Sequence, residues 1–384
     1  MHNTVKIIFL LTFFFVFYTY LGYPLIMWIL MKLKRKSSVN KKFITPNISI
    51  VISAYNEEKS IQEKLENLAS LNYPQDKLEV VIISDASSDK TDEIVKNFAQ
   101  EGKLKIKFYR QPSRRGKIAG YRKVYPHLEG EIIIFTDATS ILEKDSLLYL
   151  VSNFADESVG CVGGLIKYVN PAKASVGEAE GIYWKYEKKI RELESALCSL
   201  PSVSGTFYAV RKELFPYEMK EWLADDLVVP IYVKKQGFRT ILDEKAICYE
   251  RTVSSIKEEI AKRVRITIQN IRGLIEQKDI LNPFKYGLFS LIIISHKLFR
   301  LLVPIFLVTL FVSNLFLLQT SGIFLGLFLL QIIFYLIGAG GHFMKRQHKL
   351  INSLFYFCLS NWAILLGIIR YLKGEKVITW EPVR

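Results

Sequence analysis

Cysteine is scarce and scattered in this 384-residue chain: Cys161, Cys198, Cys248 and Cys358 stand far apart. No CxxC pair and no Cys/His cluster occurs, which argues against a zinc site and against a disulfide framework. The four cysteines read as small buried hydrophobes. Neither GxGxxG nor GxxxxGK(S/T) occurs, so dinucleotide and phosphate-loop readings lack their anchor. Acids are outnumbered, and the formal net charge is +15. That balance raises a nucleic-acid reading. Many of the lysines and arginines flank apolar segments, however, where a positive excess sets topology and meets anionic lipid. No recognition module accompanies them, so no nucleic-acid partner is expected.

What is abundant is apolar sequence: half of all residues, concentrated at the two ends. Ile7 to Met31 is one long run. At 1.5 Å per residue it reaches roughly 37 Å, enough for a hydrocarbon core of ~30 Å. It is long for a signal peptide and no small-residue cleavage site follows, so residues 5–31 are expected to be an N-terminal transmembrane helix. Tyr18, Tyr20, Tyr23 and Trp28 sit toward its second end, as in an interfacial aromatic belt. Lys32, Lys34, Arg35, Lys36, Lys41 and Lys42 follow, which places what comes next on the inside.

Residues 46–279 read as a soluble α/β domain. Asn47–Ser53, Leu78–Ser84 and Glu131–Thr136 are apolar runs of strand length, suited to strands buried on both faces. Helical patterns at Glu57–Leu71, Asp89–Ala99 and Lys117–Tyr125 alternate with them. The alternation predicts a mostly parallel, doubly wound sheet, whose ligands bind beyond the carboxyl ends of the strands.

From Pro283 the character changes. His296, Lys297 and Arg300 share one face of residues 283–302, which predicts an interfacial helix. Residues 303–371 hold two or three spans: Val303–Leu318, Ile323–Ala339 and Ile351–Ile369, with a basic loop at 345–349. The charge rule keeps that loop inside. It then sets the last stretch in conflict with Arg370, Lys373, Lys376 and Arg384, so this stretch reads either as a span or as an interfacial or re-entrant helix.

Four segments lie at or just after a strand's carboxyl end. Ser53-Ala54-Tyr55-Asn56-Glu57-Glu58 reads by itself as a turn capped by Asn56. Ser84-Asp85-Ala86-Ser87-Ser88-Asp89 has small residues that admit a flat ring, and a carboxylate that can accept from a base or ribose. Arg114-Arg115-Gly116-Lys117 sets cations and a glycine at a helix start, a plausible phosphate site. Thr136-Asp137-Ala138-Thr139 offers an acid for a hard divalent cation, with a diphosphate completing the shell. Each alone also reads as an ordinary polar turn.

In this order, the four resemble the family 2 glycosyltransferases. Ser204-Gly205-Thr206-Phe207 looks like the family's acceptor-side segment, Ala224-Asp225-Asp226-Leu227 like its acidic pair, and Lys262-Arg263-Val264-Arg265-Ile266 like its QxxRW segment. Tyr183-Trp184 sits where related synthases have aromatic residues. The flanking membrane segments match the chitin, hyaluronan, poly-N-acetylglucosamine and cellulose synthase group.

The resemblance implies a GT-A fold, a UDP-sugar donor and inversion at the anomeric carbon. By matched position, Tyr55 and Glu57 would line the nucleoside pocket and Asp85 would hold the base or ribose. Lys117 would face the nucleotide, and Asp137 would sit by the diphosphate and metal. Asp226 would be the general base and Arg265 would hold the leaving diphosphate. Trp184, Ser204, Gly205 and Thr206 would meet the acceptor. Asp225 reads as a helix-end acid. The implied cofactor is Mg2+ or Mn2+, held more weakly because Thr139 stands where the family has a second aspartate. Ser84 replaces the first of two aspartates, and Ile266 replaces a tryptophan. Expected partners are a nucleotide-sugar donor, a glycan or lipid-linked acceptor, membrane lipid, and oligomer or secretion subunits. The expected place is a multi-pass membrane protein with a cytoplasmic catalytic domain. The expected reaction is polysaccharide synthesis. The alternatives are a single transfer to a lipid acceptor and, from another class, a non-catalytic nucleotide-binding scaffold.

Overall fold

The computed structural model describes residues 2–33, 38–169, 175–251, 255–340 and 349–379. Lys34, Arg35, Lys36, Arg384, the 345–348 loop and the side chains of Tyr183 and Lys349 lie outside that description.

Eight strands among the described residues form one sheet: β1 (Ile48–Ala54), β2 (Leu78–Ser84), β3 (Lys105–Arg110), β4 (Ile132–Thr136), β5 (Ile141–Leu142), β6 (Val159–Val169), β7 (Phe207–Arg211) and β8 (Arg239–Arg251). Their spatial order is β3-β2-β1-β4-β7-β6-β8-β5. The first four are parallel, as the apolar runs require. Beyond β4 the sheet is mixed: β7 runs antiparallel to β4 and β6, while β6 and β8 are parallel. The doubly wound expectation therefore describes the first half of the sheet.

Alternation along β1 builds two cores, one on each face. Ile50 and Ile52 pack with Leu65, Leu68 and Phe98. Val51 packs with Tyr121, Phe135 and Tyr208 on the other side. Parallel β1, β2 and β4 end at one edge, and antiparallel β7 begins there. The pairing of Thr136 with Phe207 sets the 204–206 turn beside Asp137.

Among the described residues, four helices are long and apolar enough to cross a membrane: His2–Leu33, Leu288–Leu315, Gly322–Gly340 and Leu350–Leu372. They keep large apolar side chains exposed, among them Ile7, Phe13, Phe14, Val308, Leu330 and Trp362. The Leu288–Leu315 helix runs unbroken through a π-turn at Ile293–Leu298. The helix continues across residues 302 and 303, where an interfacial helix was expected to end and a span to begin. Two of the three polar residues that suggested the headgroup region, His296 and Arg300, pair with glutamates inside the protein. His296 meets Glu187 and Glu194 of the Ser175–Leu197 helix at 2.8 and 2.5 Å, and Arg300 meets Glu187 at 2.5 Å. Tyr23 of the first helix donates to Glu194 at 2.6 Å, tying three helices together. The last helix docks on the Ile256–Glu276 helix, where Gly367 allows contact: a Cβ there would lie 2.6 Å from Thr267.

Candidate active site

The turns after β1 and β2 are laced to each other. Asn56, at φ 55°, accepts from the Ser88 amide at 2.8 Å, and its own amide donates to Ser87. Asn56 is therefore a cross-link between turns, and the helix it was expected to cap begins later, at Ile61. Tyr55 is half-buried with the Arg114 guanidinium 3.8 Å from its ring centroid. Glu57 accepts from Ser60 at 2.5 Å. Burial raises its pKa against that hydrogen bond, with Asp137 and Asp89 adding repulsion.

Asp85 is fully buried. Its carboxylate accepts from Gln111 Nε2 at 2.8 Å and from the amides of Arg115 and Gly116 at 2.8 and 3.0 Å. The group expected to meet a base or ribose thus grips the backbone of the basic turn. It fixes where Arg114, Arg115 and Lys117 stand. Gly116 has φ 79° and lies against the C-terminal segment, where a Cβ would come within 2.5 Å of the Ile378 carbonyl oxygen. That segment crosses the Ile256–Glu276 helix, with Arg272 donating to the Glu375 carbonyl at 2.9 Å and Lys376 lying over Trp222.

Asp137 follows directly on β4, half-buried. Burial raises its pKa, Asp225 adds to this, and Lys117, Lys64 and Thr206 oppose it. Lys64 was missed in the sequence. It lies fully buried beneath the turn and donates to Thr136 Oγ1 at 3.0 Å and to the Ser140 carbonyl at 2.7 Å. Burial pushes its pKa down to about 8. The available signal was a lysine on the apolar stripe Ile61, Leu65, Leu68. Thr139 is exposed at the end of the turn.

Asp225 and Asp226 open the Asp225–Lys235 helix and diverge, as adjacent helical residues must. Asp225 is fully buried, accepts from Tyr208 Oη at 2.8 Å and pairs with Lys117 at 2.5 Å. Asp225 is thus a first-turn helix acid, as expected, and is also the anchor for Lys117. Burial works against the Lys117 charge, but Asp225, Asp137 and Asp226 prevail and raise its pKa. Asp226 is the more open of the pair. Burial raises its pKa first and Asp225 second, against Lys117, Lys297 and Arg265. Burial lowers the Arg265 pKa, while Asp137, Asp226 and Asp225 oppose that shift. Asp137, Asp225, Asp226, Lys117 and Arg265 are thus mutual electrostatic neighbours at one sheet edge. Ile266, next along the helix, is exposed.

The acceptor-side residues adjoin this cluster. Thr206 donates to Glu250 at 3.2 Å, Glu250 stands opposite Tyr168 in register, and Tyr168 packs on Trp184 with centroids 5.0 Å apart. Glu250 had no signal in the sequence. The Ser204 carbonyl closes the turn to Phe207. At Gly205 a Cβ would lie 3.4 Å from Lys117 Nζ and 3.8 Å from the Asp226 Cβ. Alanine fits that space and a longer side chain fills it. Gly205→Ala is expected to retain activity, while Gly205→Leu loses at least tenfold in rate with unchanged thermal stability, measured by sugar transfer in detergent.

Residues 49–216 match the family described as Glycosyl transferase family 2. A beta-monoglucosyldiacylglycerol synthase of Trichormus variabilis is 41% identical over 118 residues, 30% of this chain and 25% of that one. A poly-beta-1,6-N-acetyl-D-glucosamine synthase of Staphylococcus epidermidis is 25% identical over 224 residues, 57% of this chain and 53% of that one. The chain spans about half, or less, of the length of the curated relatives it matches. A solved mannosyltransferase of Pyrobaculum calidifontis, in complex with GDP-Man and Mn2+, has the same fold. Its TM-score is 0.74 at 22% identity, over 96% of this chain and 100% of that one. With the sheet edge, its acids and the matched residues together, residues 49–216 are similar to a family 2 glycosyltransferase domain, and the chain has the GT-A-like fold of that mannosyltransferase.

Proposed function

We propose that this chain is an inverting glycosyltransferase that moves a sugar from a UDP-sugar to an acceptor at the inner membrane surface. The observation that supports it best is the meeting of three aspartates with Lys117 and Arg265 at the carboxyl edge of the sheet. An acceptor hydroxyl must lose its proton as it attacks, and Asp226 is the open carboxylate placed to take it. The new bond forms at the anomeric carbon as the bond to the diphosphate breaks on the opposite face. Arg265 and Lys117 supply positive charge to the leaving group, and Asp225 holds Lys117 in place. Tyr55, Glu57 and the loop gripped by Asp85 frame the nucleoside.

Asp137 would hold Mg2+ or Mn2+. Half-buried Asp137 offers the kind of oxygen ligand such an ion takes, although among the described residues no three His, Cys, Asp or Glu side chains cluster as a metal cage. A cation bound through one or two carboxylates and a diphosphate needs none. When bound, the ion adds charge stabilisation at the departing phosphates.

The division of the chain follows: residues 5–31 as a membrane anchor, 46–279 as the catalytic domain on the cytoplasmic side, and 283–371 as the membrane-embedded C-terminal part. The relative that makes poly-N-acetylglucosamine favours a polymer product. The electrostatic contact between Asp226 and Lys297, on a membrane-crossing candidate helix, favours a lipid-linked acceptor. Purified protein in detergent, given a panel of nucleotide-sugars with and without Mn2+, should release UDP from one donor. A ladder of products supports polymerisation and one added sugar supports single transfer. If no donor is turned over, the proposal fails.

The raised pKa of Asp226 fixes a pH dependence. The base acts only when ionised, so the rate falls as pH drops through a midpoint above the usual aspartate value of about 3.9. Asp225→Asn removes one of the charges that raise it and should move this acid limb to lower pH. The stability sign is opposite: with the folded pKa above the unfolded one, ionising Asp226 costs stability as pH rises from about 4 through the folded value. A pH profile of kcat that does not respond to Asp225→Asn contradicts this assignment.

A further inference from the structure

Two cations beside the site have no role in the reaction described above. Arg191 lies on the 175–197 helix. Its Nε and Nη2 are buried and make no hydrogen bond among the described residues. Its guanidinium rests against β6, since a Cβ added at Gly163 would lie 3.5 Å from Nη2 and 3.1 Å from Val203. The Val203 amide in turn donates to the Asp226 carbonyl at 2.9 Å. Lys297 comes from the π-turn of the Leu288–Leu315 helix. It is half-buried, is an electrostatic neighbour of Asp226, Glu187, Glu194 and Arg191, and makes no hydrogen bond or ion pair to a described residue.

The local acids do not absorb these charges. Glu187 is held by His296 and Arg300, and Glu194 by Tyr23 and His296. Glu194 Oε2 is left as one open acid oxygen against two cations that repel each other. Leaving a cation without a close partner at membrane depth is costly, and such residues commonly mark a ligand path. Lys297 follows His296, which pairs with Glu187 and Glu194 on the helix face that also carries Arg191, so both cations lie where the Leu288–Leu315 helix meets the Ser175–Leu197 helix.

We propose that Arg191 and Lys297 form an anion site that holds the phosphate of a phosphate-bearing lipid acceptor on the membrane side of Asp226. The inference rests on the glycosyltransferase reading for its purpose and not for its binding test. The phosphate anchors the lipid while a free hydroxyl of the acceptor reaches Asp226. Arginine offers a fork of N–H donors and lysine a point charge, a pairing suited to phosphate. The π-turn is what brings Lys297 to the domain, because its extra residue rotates the helix face that follows.

The test uses the full chain in detergent with four probes: farnesyl phosphate, farnesol, inorganic phosphate and UDP. Farnesyl phosphate should bind at least about tenfold more tightly than either farnesol or phosphate alone. Arg191→Gln and Lys297→Gln should each weaken farnesyl phosphate about tenfold and leave farnesol and UDP unchanged. Lys297→Arg, which keeps the charge, should preserve binding; it carries the test if either glutamine variant does not fold. Equal affinity for farnesyl phosphate and farnesol overturns the proposal. So does a loss confined to UDP, which would assign both cations to the donor. The two readings separate on the unmutated chain: if it transfers no sugar from any donor yet keeps this charge-dependent binding, the catalytic reading alone fails, and if it transfers sugar without the binding, the anion site alone fails.

Discussion

Asp226→Asn is expected to lower sugar transfer by about a thousandfold, the range typical of a lost general base, with donor binding retained. The amide keeps the shape of the side chain and cannot take the acceptor proton. Its neighbours stay in place, because Asp225 and not Asp226 holds Lys117 and Tyr208. The measurements are single-turnover transfer and UDP affinity on the same preparation. A variant with wild-type transfer would remove the base from the scheme. It would also favour the non-catalytic scaffold, for which nucleotide binding is the whole function. A parallel loss of UDP binding would instead mean that Asp226 organises the donor pocket.

Lys117→Met and Asp225→Asn should each destabilise the domain and each cost activity, for one reason. The pair is buried at its acid end, where Asp225 has a side chain only 1% exposed. Breaking a buried ion pair from one side leaves a charge without compensation and costs about 3 kcal/mol or more. Lys117 keeps some solvent contact, so Asp225→Asn, which leaves the more exposed partner unpaired, should be the milder change. In the double variant both charges are gone, and its destabilisation should be smaller than the sum of the two. Chemical unfolding in detergent of the four proteins reads this directly. Strict additivity would mean that the two groups act separately, and that Lys117 takes its position from the backbone of the Asp85-held turn alone.

Much of the site could be read from the chain because chemistry and strand ends coincide in it. Tyr55, Asp85 and Asp137 follow β1, β2 and β4, and parallel strands place their ends on one edge, so their common location was legible from the apolar runs, while their expected roles came from the resemblance. Asp226 and Arg265 came from resemblance, since nothing local distinguishes them from other helical charges. The roles within the site were less legible. Asp85 was expected at a base or ribose, and its grip on a loop was not foreseen, because the amides of residues 115 and 116 reach it only once β3 has folded beside β2. Lys64 and Glu250 were hidden, because their partners lie 72 and 44 residues away in the chain.

The sequence by itself determined the division into apolar ends and an α/β centre, the alternation of strand and helix, and the edge where the acids gather. These follow from periodicity and strand direction, which are local properties of the chain. Only the tertiary structure decided the reversal of β7 that brings the 204–206 turn to Asp137, and the division of labour between Asp225 and Asp226. It also decided that His296 and Arg300 face glutamates rather than headgroups. Each of those depends on which distant segment packs alongside, and the electrostatic partner of a buried charge is fixed by packing, not by neighbours in sequence.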